Sequence, residues 1–349
     1  MVQQQKRLLF ALILAAVLPL SIGSRTALAD PGLTGPWPDA ASISQVTQQA
    51  ITFASTSPFL LNDAGAKSVD QTTAFGTLYL PPGQHAPRTV PAVVMLHGSA
   101  GVLAARELTY GKQLAAMGVA ALVIDAFGAR RDRGTSFTER LLNITEVMLI
   151  ADAYASLDYL ATRPEIDRDR VVLIGFSYGA MATMYALNAR VAETLGPSGR
   201  RFAGHVAYYG PCVTRFENRR TTGAPLLMLY GDGDQIMDRE RCDATAADFR
   251  AGGSDVKVIV YPGAVHQWDG AFGRRLIGRN LAGCDFEVGA DGTVQDRNTG
   301  FVVSGPLMRK LLLALCVEDR PYPIGRDDEV RRQSNHDLGV FLARVFGTD

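Results

Sequence analysis

Short, predominantly apolar runs recur along the chain, at 92–96, 119–124, 171–175, 205–209, 225–230 and 256–261. Each has the length of a strand, with turn-forming Gly, Pro or Asp close by. Such runs predict strands buried on both faces of a sheet, because a strand with one wet face would alternate polar and apolar positions. Between them, apolar residues return every three or four positions over 106–117, 140–162, 180–191 and 239–251, which predicts helices. A terminal helix is expected near 328–346. Gly118 stands at the C-cap position of the first helix and Pro164 closes the second. An earlier strand, 74–80, ends in the turn Pro81-Pro82-Gly83. Residues 30–70 show no clear period, and no internal repeat or low-complexity tract is present. Strands alternating with helices predict an α/β fold with a doubly wound, mostly parallel sheet and helices on both faces. In such sheets the ligand site lies beyond the carboxyl ends of the strands, so the chemistry is sought just after each run.

The first residues follow another pattern. Lys6 and Arg7 precede the apolar run 8–20, too short to span a bilayer comfortably, and Ala27-Leu28-Ala29 supplies a small-x-small cleavage site. These features predict a secretory signal peptide over 1–29, with an uncleaved anchor as the alternative. A single domain over 30–349 follows, secreted or periplasmic, with no stable membrane anchor after cleavage. The full chain carries 35 basic and 35 acidic residues. The leader removes Lys6, Arg7 and Arg25 and no acid, leaving 32 basic against 35 acidic. A near-neutral balance with no long basic run lacks the electrostatic footprint of a nucleic-acid binder. The 47% of hydrophobic residues excludes a disordered chain.

Cys212, Cys242, Cys284 and Cys316 are an even set in an exported chain, which points to disulfides. The preferred pairing is Cys212–Cys242, tying the loop after one strand to the helix after the next, and Cys284–Cys316. Four buried free thiols are the alternative. No spacing is C-x-x-C and no His stands at ligand spacing, so no metal site is expected.

After the run 171–175 comes Gly175-Phe176-Ser177-Tyr178-Gly179, a G-x-S-x-G between a strand and a helix. The chemistry needs a serine on a sharp turn, with glycines relieving the crowding of that turn. A serine hydroxyl is a poor nucleophile until a base takes its proton, and the base is oriented by an acid. In this architecture the order along the chain is Ser, acid, His. Gly231-Asp232-Gly233-Asp234 follows the run 225–230, and Pro262-Gly263-Ala264-Val265-His266 follows 256–261. Of the five histidines, His85 lies in a loop, His336 in the terminal helix, His205 opens a strand and His97 precedes the serine. His266 alone is placed as base. Asp232 and Asp234 share one loop, and position does not choose between them. After the run 92–96 comes His97-Gly98-Ser99-Ala100-Gly101, where a backbone amide, with that of Tyr178, is placed to hold an oxyanion. His97 reads as a brace of this loop.

These segments, with 106–125 ("RELTYGKQLAAMGVAALVID"), "YGDGDQI" at 230–236 and "YPGAVHQW" at 261–268, resemble the dienelactone hydrolase family of α/β-hydrolases over about 75–268 plus the terminal helix. In that pattern the acid is the last residue of G-x-x-D, which selects Asp234, and the second oxyanion amide is that of Ser99. The family's name-giving members use a cysteine nucleophile and a glutamate near it. Here Ser177 and Gly98 stand in those places, so the dienelactone substrate is not carried over. Nearly sixty residues, about 269–326, separate Trp268 from the terminal helix, more than the family pattern has. They are expected either to fold over the site's mouth or to form a stapled surface excursion. The group Arg130-Arg131-Asp132-Arg133 is a candidate for a substrate carboxylate, or a solvated loop.

The expectation is therefore a cofactor-free serine hydrolase cleaving a small-molecule carboxylic ester through Ser177, His266 and Asp234. The same parts would serve an acyltransferase or an amidase. The rival from another class is a non-catalytic binding module on a hydrolase scaffold.

Overall fold

A computed structural model describes residues 32–348. The expected leader, 1–29, lies outside the described residues. Eight strands form one sheet: β1 (Thr47–Thr56), β2 (Gln71–Leu80), β3 (Val90–Leu96), β4 (Ala120–Ile124), β5 (Ile166–Phe176), β6 (Gly204–Tyr208), β8 (Leu226–Gly231) and β9 (Val256–Tyr261). Their order is β1-β2-β4-β3-β5-β6-β8-β9. β1 and β2 run antiparallel, β2 joins β4 antiparallel, and every pairing from β4 to β9 is parallel. This is the doubly wound α/β-hydrolase sheet. β7 (Thr214–Phe216) is a short strand outside it.

The period-2 geometry of a strand sends successive side chains to opposite faces, and here both faces are buried. Ala92, Val94 and Leu96 of β3, with Leu226 and Met228 of β8, enter the core under α3 (Glu146–Ala161), α4 (Tyr178–Ala186), α5 (Ala189–Leu195) and α6 (Arg239–Ala251). Val93, Met95, Leu227 and Leu229 enter the core under α1 (Thr109–Ala116) and α8 (Asp328–Phe346). Each such fully buried Val, Leu or Met side chain contributes about 1.5–3 kcal/mol. The scarcity of polar positions in the central runs is thus the imprint of helices on both sides.

Register sets where the site falls. Leu96 is level with Ile124 on one side and Gly175 on the other, Phe176 with Tyr208, Tyr208 with Leu229, and Gly231 with Tyr261. The loops after β3, β5, β6, β8 and β9 therefore leave one edge together.

Several elements differ from the sequence reading. β1, within 30–70, is an edge strand paired only through β2, and its exposed polar positions hide its period. The expected helix 140–162 is two helices, α2 (Phe137–Asn143) and α3, broken where Ile144 is extended. The expected helix 180–191 is α4 and α5. Asn188 is extended between them and its side chain accepts from the amides of Arg190 and Val191, an N-cap inside an apolar run. The helix read at 106–117 opens as a π-turn over 104–108 before α1 begins.

The stretch 269–326 carries its own small elements. β10 (Arg275–Ile277) pairs with β13 (Tyr322–Ile324). β11 (Phe286–Val288) pairs with β12 (Val294–Asp296) and, in parallel, with β7. α7 (Pro306–Cys316) follows. Disulfides join Cys212 to Cys242 and Cys284 to Cys316, the pairing expected from the sequence. The segment is also bound to the strand-end loops. The Asn280 side chain donates to the Gln235 carbonyl, and Arg241 of α6 donates to the carbonyls of Ala282 and Cys284. Among the described residues no helix is long and apolar enough to cross a membrane.

Candidate active site

Ser177 lies between β5 and α4 with φ 52° and ψ −111°, a conformation that a side chain other than glycine's rarely adopts. Two glycines make it attainable. A Cβ at Gly175 would stand 2.2 Å from the Gly179 carbonyl oxygen, and one at Gly179 would stand 2.3 Å from that of Leu96. The elbow is closed on itself and pressed onto the end of β3, so neither position admits a side chain. Ser177 donates its amide to the Tyr208 carbonyl and accepts from Met181 at its own carbonyl, which fixes the turn at both ends.

The loop after β9 delivers His266 to this serine. Its Nε2 is 2.9 Å from Ser177 Oγ and its Nδ1 is 2.7 Å from Asp234 Oδ2. All three side chains are buried. The other carboxylate oxygen of Asp234 accepts from the Ile236 amide at 3.1 Å. With the carboxylate an acceptor only, Nδ1 carries the proton and Nε2 presents its lone pair to the serine hydroxyl. Asp232 is exposed and accepts from the Gly263 amide, holding the β8 and β9 loops together. Thus the two aspartates of one loop differ in place: one faces the imidazole and the other ties a turn.

The loop after β3 packs against the same serine. A Cβ at Gly98 would come within 3.4 Å of the Ser177 Cβ and 3.3 Å of the Phe176 carbonyl oxygen. The bare Gly98 backbone lies against the elbow, and neither the Ser99 nor the Tyr178 amide has a partner among the described residues. His97 is buried. Its Nδ1–H donates to the Gly98 carbonyl at 2.8 Å and its ring packs on Phe127. Burial lowers its pKa, so it stands neutral as a brace of the loop.

Segment 269–326 reaches the site from two sides. Ile324 bridges the His266 backbone, and the Gly325 amide donates to the His266 carbonyl. The Tyr322 ring stands edge-on to the imidazole at 6.1 Å. From α7, Arg309 pairs with Glu146 at 3.0 Å and donates to the Tyr178 hydroxyl, which itself donates to the Ile144 carbonyl. Burial would raise the Glu146 pKa, but Arg309 outweighs it and holds the carboxyl below its ordinary value. Burial, then the Glu146 charge, pushes the Tyr178 phenol well up, so it stays a donor. The segment thus touches residues of the site and is also stapled to itself by the Cys284–Cys316 disulfide.

The arginine group after β4 does not face a ligand as a unit. Arg130 is buried in a bidentate pair with Asp152 at 2.6 and 2.8 Å, and it also donates to Ser57 and the Thr56 and Ala126 carbonyls. Arg133 pairs with Asp70. The sequence reading missed a second buried cluster behind His266. Tyr209 has φ 42° and its ring stands edge-on to the imidazole at 4.8 Å. Its hydroxyl donates to Asp269 Oδ1 and accepts from Arg106 at 3.4 Å. Arg106 in turn pairs with Glu107. The signal was present in the doublet Tyr208-Tyr209 closing a strand and in an aspartate three residues after His266. Among the described residues no group of His, Cys, Asp or Glu is placed to hold a metal.

A sheet of this order, with a serine on a strand–turn–helix elbow and a histidine and an aspartate brought to it from later strand ends, defines an α/β-hydrolase. The model of the dienelactone hydrolase family matches residues 76–274, more than half of the chain, and the chain belongs to that family. Membership places it among enzymes that hydrolyse esters, lactones being cyclic esters. Most of the added segment and all of α7 lie beyond the match. Among solved structures the chain is similar to a dienelactone hydrolase-like promiscuous phosphotriesterase from metagenomic libraries, at 22% identity and TM-score 0.49, covering 64% of this chain and 85% of that one. It is also similar to a propionate-bound thermophilic esterase of Thermogutta terrifontis, at 13% identity and TM-score 0.45, covering 65% and 86%.

Proposed function

We propose that the protein is a serine hydrolase that cleaves a small-molecule carboxylic ester through an acyl-enzyme intermediate. The observation that carries this reading is the unbroken chain from Asp234 through His266 to Ser177, at 2.7 and 2.9 Å, on a serine held at positive φ. Ser177 Oγ attacks the ester carbonyl as His266 Nε2 takes its proton. Asp234 keeps the proton on Nδ1 and stabilises the imidazolium that forms. The amides of Ser99 and Tyr178 donate to the oxyanion, and the unpaired state of both supports this role. The tetrahedral intermediate collapses with cleavage of the bond to the alcohol oxygen, which receives the proton from His266. Water enters, gives its proton to His266, attacks the acyl-enzyme, and the acid leaves as Ser177 regains its proton. No step calls for a cofactor or a metal.

Two disulfides, both solvent-shielded, support folding in an oxidising compartment, and the chain acts as a secreted or periplasmic single-domain enzyme after loss of the leader. The test is hydrolysis of p-nitrophenyl esters of increasing acyl length by the wild type, Ser177→Ala and His266→Ala. The wild type turns over part of the series and both variants fall by about 10³-fold or more. A folded Ser177→Ala protein with wild-type turnover contradicts the proposal.

A further inference from the structure

The cluster behind His266 joins the segments that follow β3, β6 and β9, although none of its side chains takes part in the acyl-transfer steps. Asp269 follows His266 by three residues and is fully buried. Its Oδ1 accepts a hydrogen bond from the Tyr209 hydroxyl, while its Oδ2 has no partner among the described residues. Arg331 of α8 holds its main-chain carbonyl. Arg106 donates to the Tyr209 oxygen, lies over the Phe176 ring at 5.1 Å, and stands where a side chain at Gly98 would meet it. The backbone is strained on both sides of the imidazole, at Tyr209 (φ 42°) and Gln267 (φ 60°). Strain of this kind persists only where surrounding contacts over-determine it.

We propose that Asp269 is a positioning residue for the His266 base: through Tyr209 it keeps the imidazole on the line between Asp234 and Ser177. This rests on the reading of Ser177, His266 and Asp234 as the triad. The two hydrogen bonds of the imidazole fix its ends but leave it free to tilt about the axis joining them. The Tyr209 ring, edge-on at 4.8 Å, blocks that tilt only while its own hydroxyl is tethered. Burial and the Asp269 charge keep the phenol protonated, so the tether persists as a donated hydrogen bond. An apolar filler would pack this volume at less electrostatic cost, because a buried carboxylate with one free oxygen is expensive. The position therefore answers to geometry.

The test compares Tyr209→Phe and Asp269→Asn with the wild type on one p-nitrophenyl ester. Tyr209→Phe keeps the ring and removes only the tether, so it preserves packing if the aspartate change impairs folding. The expected result is a fall in kcat of about 10- to 100-fold with KM changed less than about twofold, the size of effect produced by small misplacement of a reacting group. In proton NMR, the far-downfield resonance of the His266 Nδ1–H shifts or broadens in Tyr209→Phe. Wild-type kcat and an unmoved resonance in folded Tyr209→Phe overturn the proposal, as does a loss confined to KM. His266→Ala separates the two readings. Its inactivity together with full activity in Tyr209→Phe defeats the positioning role alone, whereas activity surviving in His266→Ala defeats the triad and the positioning role together.

Discussion

Replacing Asp234 by asparagine changes one atom and reverses one hydrogen bond. Both carboxylate oxygens are acceptors, one for His266 Nδ1–H at 2.7 Å and one for the Ile236 amide at 3.1 Å. An amide offers one acceptor and one donor group, so it cannot serve both. If its oxygen faces Ile236, its NH2 faces Nδ1 and drives the imidazole to the other tautomer, placing a proton on Nε2 against Ser177 Oγ. If its oxygen faces Nδ1, two N–H groups meet at Ile236 in a buried place. The first arrangement satisfies every group and removes the base. Triads lose about 10⁴-fold in turnover on such a change, equivalent to about 5 kcal/mol of transition-state stabilisation. Asp232 is the internal control. It is exposed, and the oxygen of an asparagine there accepts from the Gly263 amide as the carboxylate does, so Asp232→Asn costs less than about threefold. The assay is kcat and KM on a p-nitrophenyl ester, with circular dichroism to establish that both variants fold. A larger loss from Asp232→Asn than from Asp234→Asn refutes the assignment of the acid and the tautomer argument with it.

Gly175→Ala, whose Cβ would lie 2.2 Å from the Gly179 carbonyl oxygen, opens the elbow and lowers both activity and melting temperature, and wild-type turnover in this variant would show that the turn yields without cost. Removing the Cys284–Cys316 disulfide by a double serine substitution frees a loop with sequence separation 32 and lowers stability by about 3–4 kcal/mol in denaturant titration, unless the segment holds equally well without it. His205 is fully buried, donates from Nδ1 to the Thr183 carbonyl and leaves Nε2 unpartnered, and burial lowers its pKa to about 4. The unfolded chain binds a proton here below about pH 6.5 while the folded one does not. Stability is therefore complete above pH 6.5 and declines by up to about 3 kcal/mol as pH falls to 4. His205→Gln flattens that part of the pH profile, and identical profiles in the two proteins would rule the linkage out.

The elements that the apolar runs predicted are mostly those whose burial leaves no alternative: β3, β4, β5, β6 and β8 carry helices on both faces, and β9 is a half-buried edge strand. β1 was not legible because an edge strand is half wet and its alternation is weak. The breaks at Ile144 and Asn188 were hidden for the opposite reason: both lie inside apolar stretches, where tertiary packing rather than local spacing decides the chain's path. In the candidate site, Ser177, His266 and the loop at 97–101 are recognisable because each stands shortly after the end of a predicted strand, Ser177 at positive φ. The choice of Asp234 over Asp232 rested on resemblance, and the geometry distinguishes them by burial and partner. Neither alternative for the Arg130 group, a carboxylate ligand or a solvated loop, describes Arg130 itself, because sequence does not reveal that Asp152, 22 residues on, takes both its terminal nitrogens. Tyr209, Asp269 and Arg106 escaped notice because the tyrosine doublet and the aspartate after His266 mark separate segments, and only the fold brings them together with Arg106.

The most direct measurement of the central claim is covalent capture of the nucleophile. A fluorophosphonate presents a tetrahedral phosphorus to an activated serine and places its oxygen where the oxyanion would sit. With the processed protein, intact-mass spectrometry gives one adduct per chain and peptide mapping places it on Ser177, while Ser177→Ala takes no label and His266→Ala takes it far more slowly. A folded protein that takes no label, or takes it on another serine, contradicts the account and favours a binding module on a hydrolase scaffold.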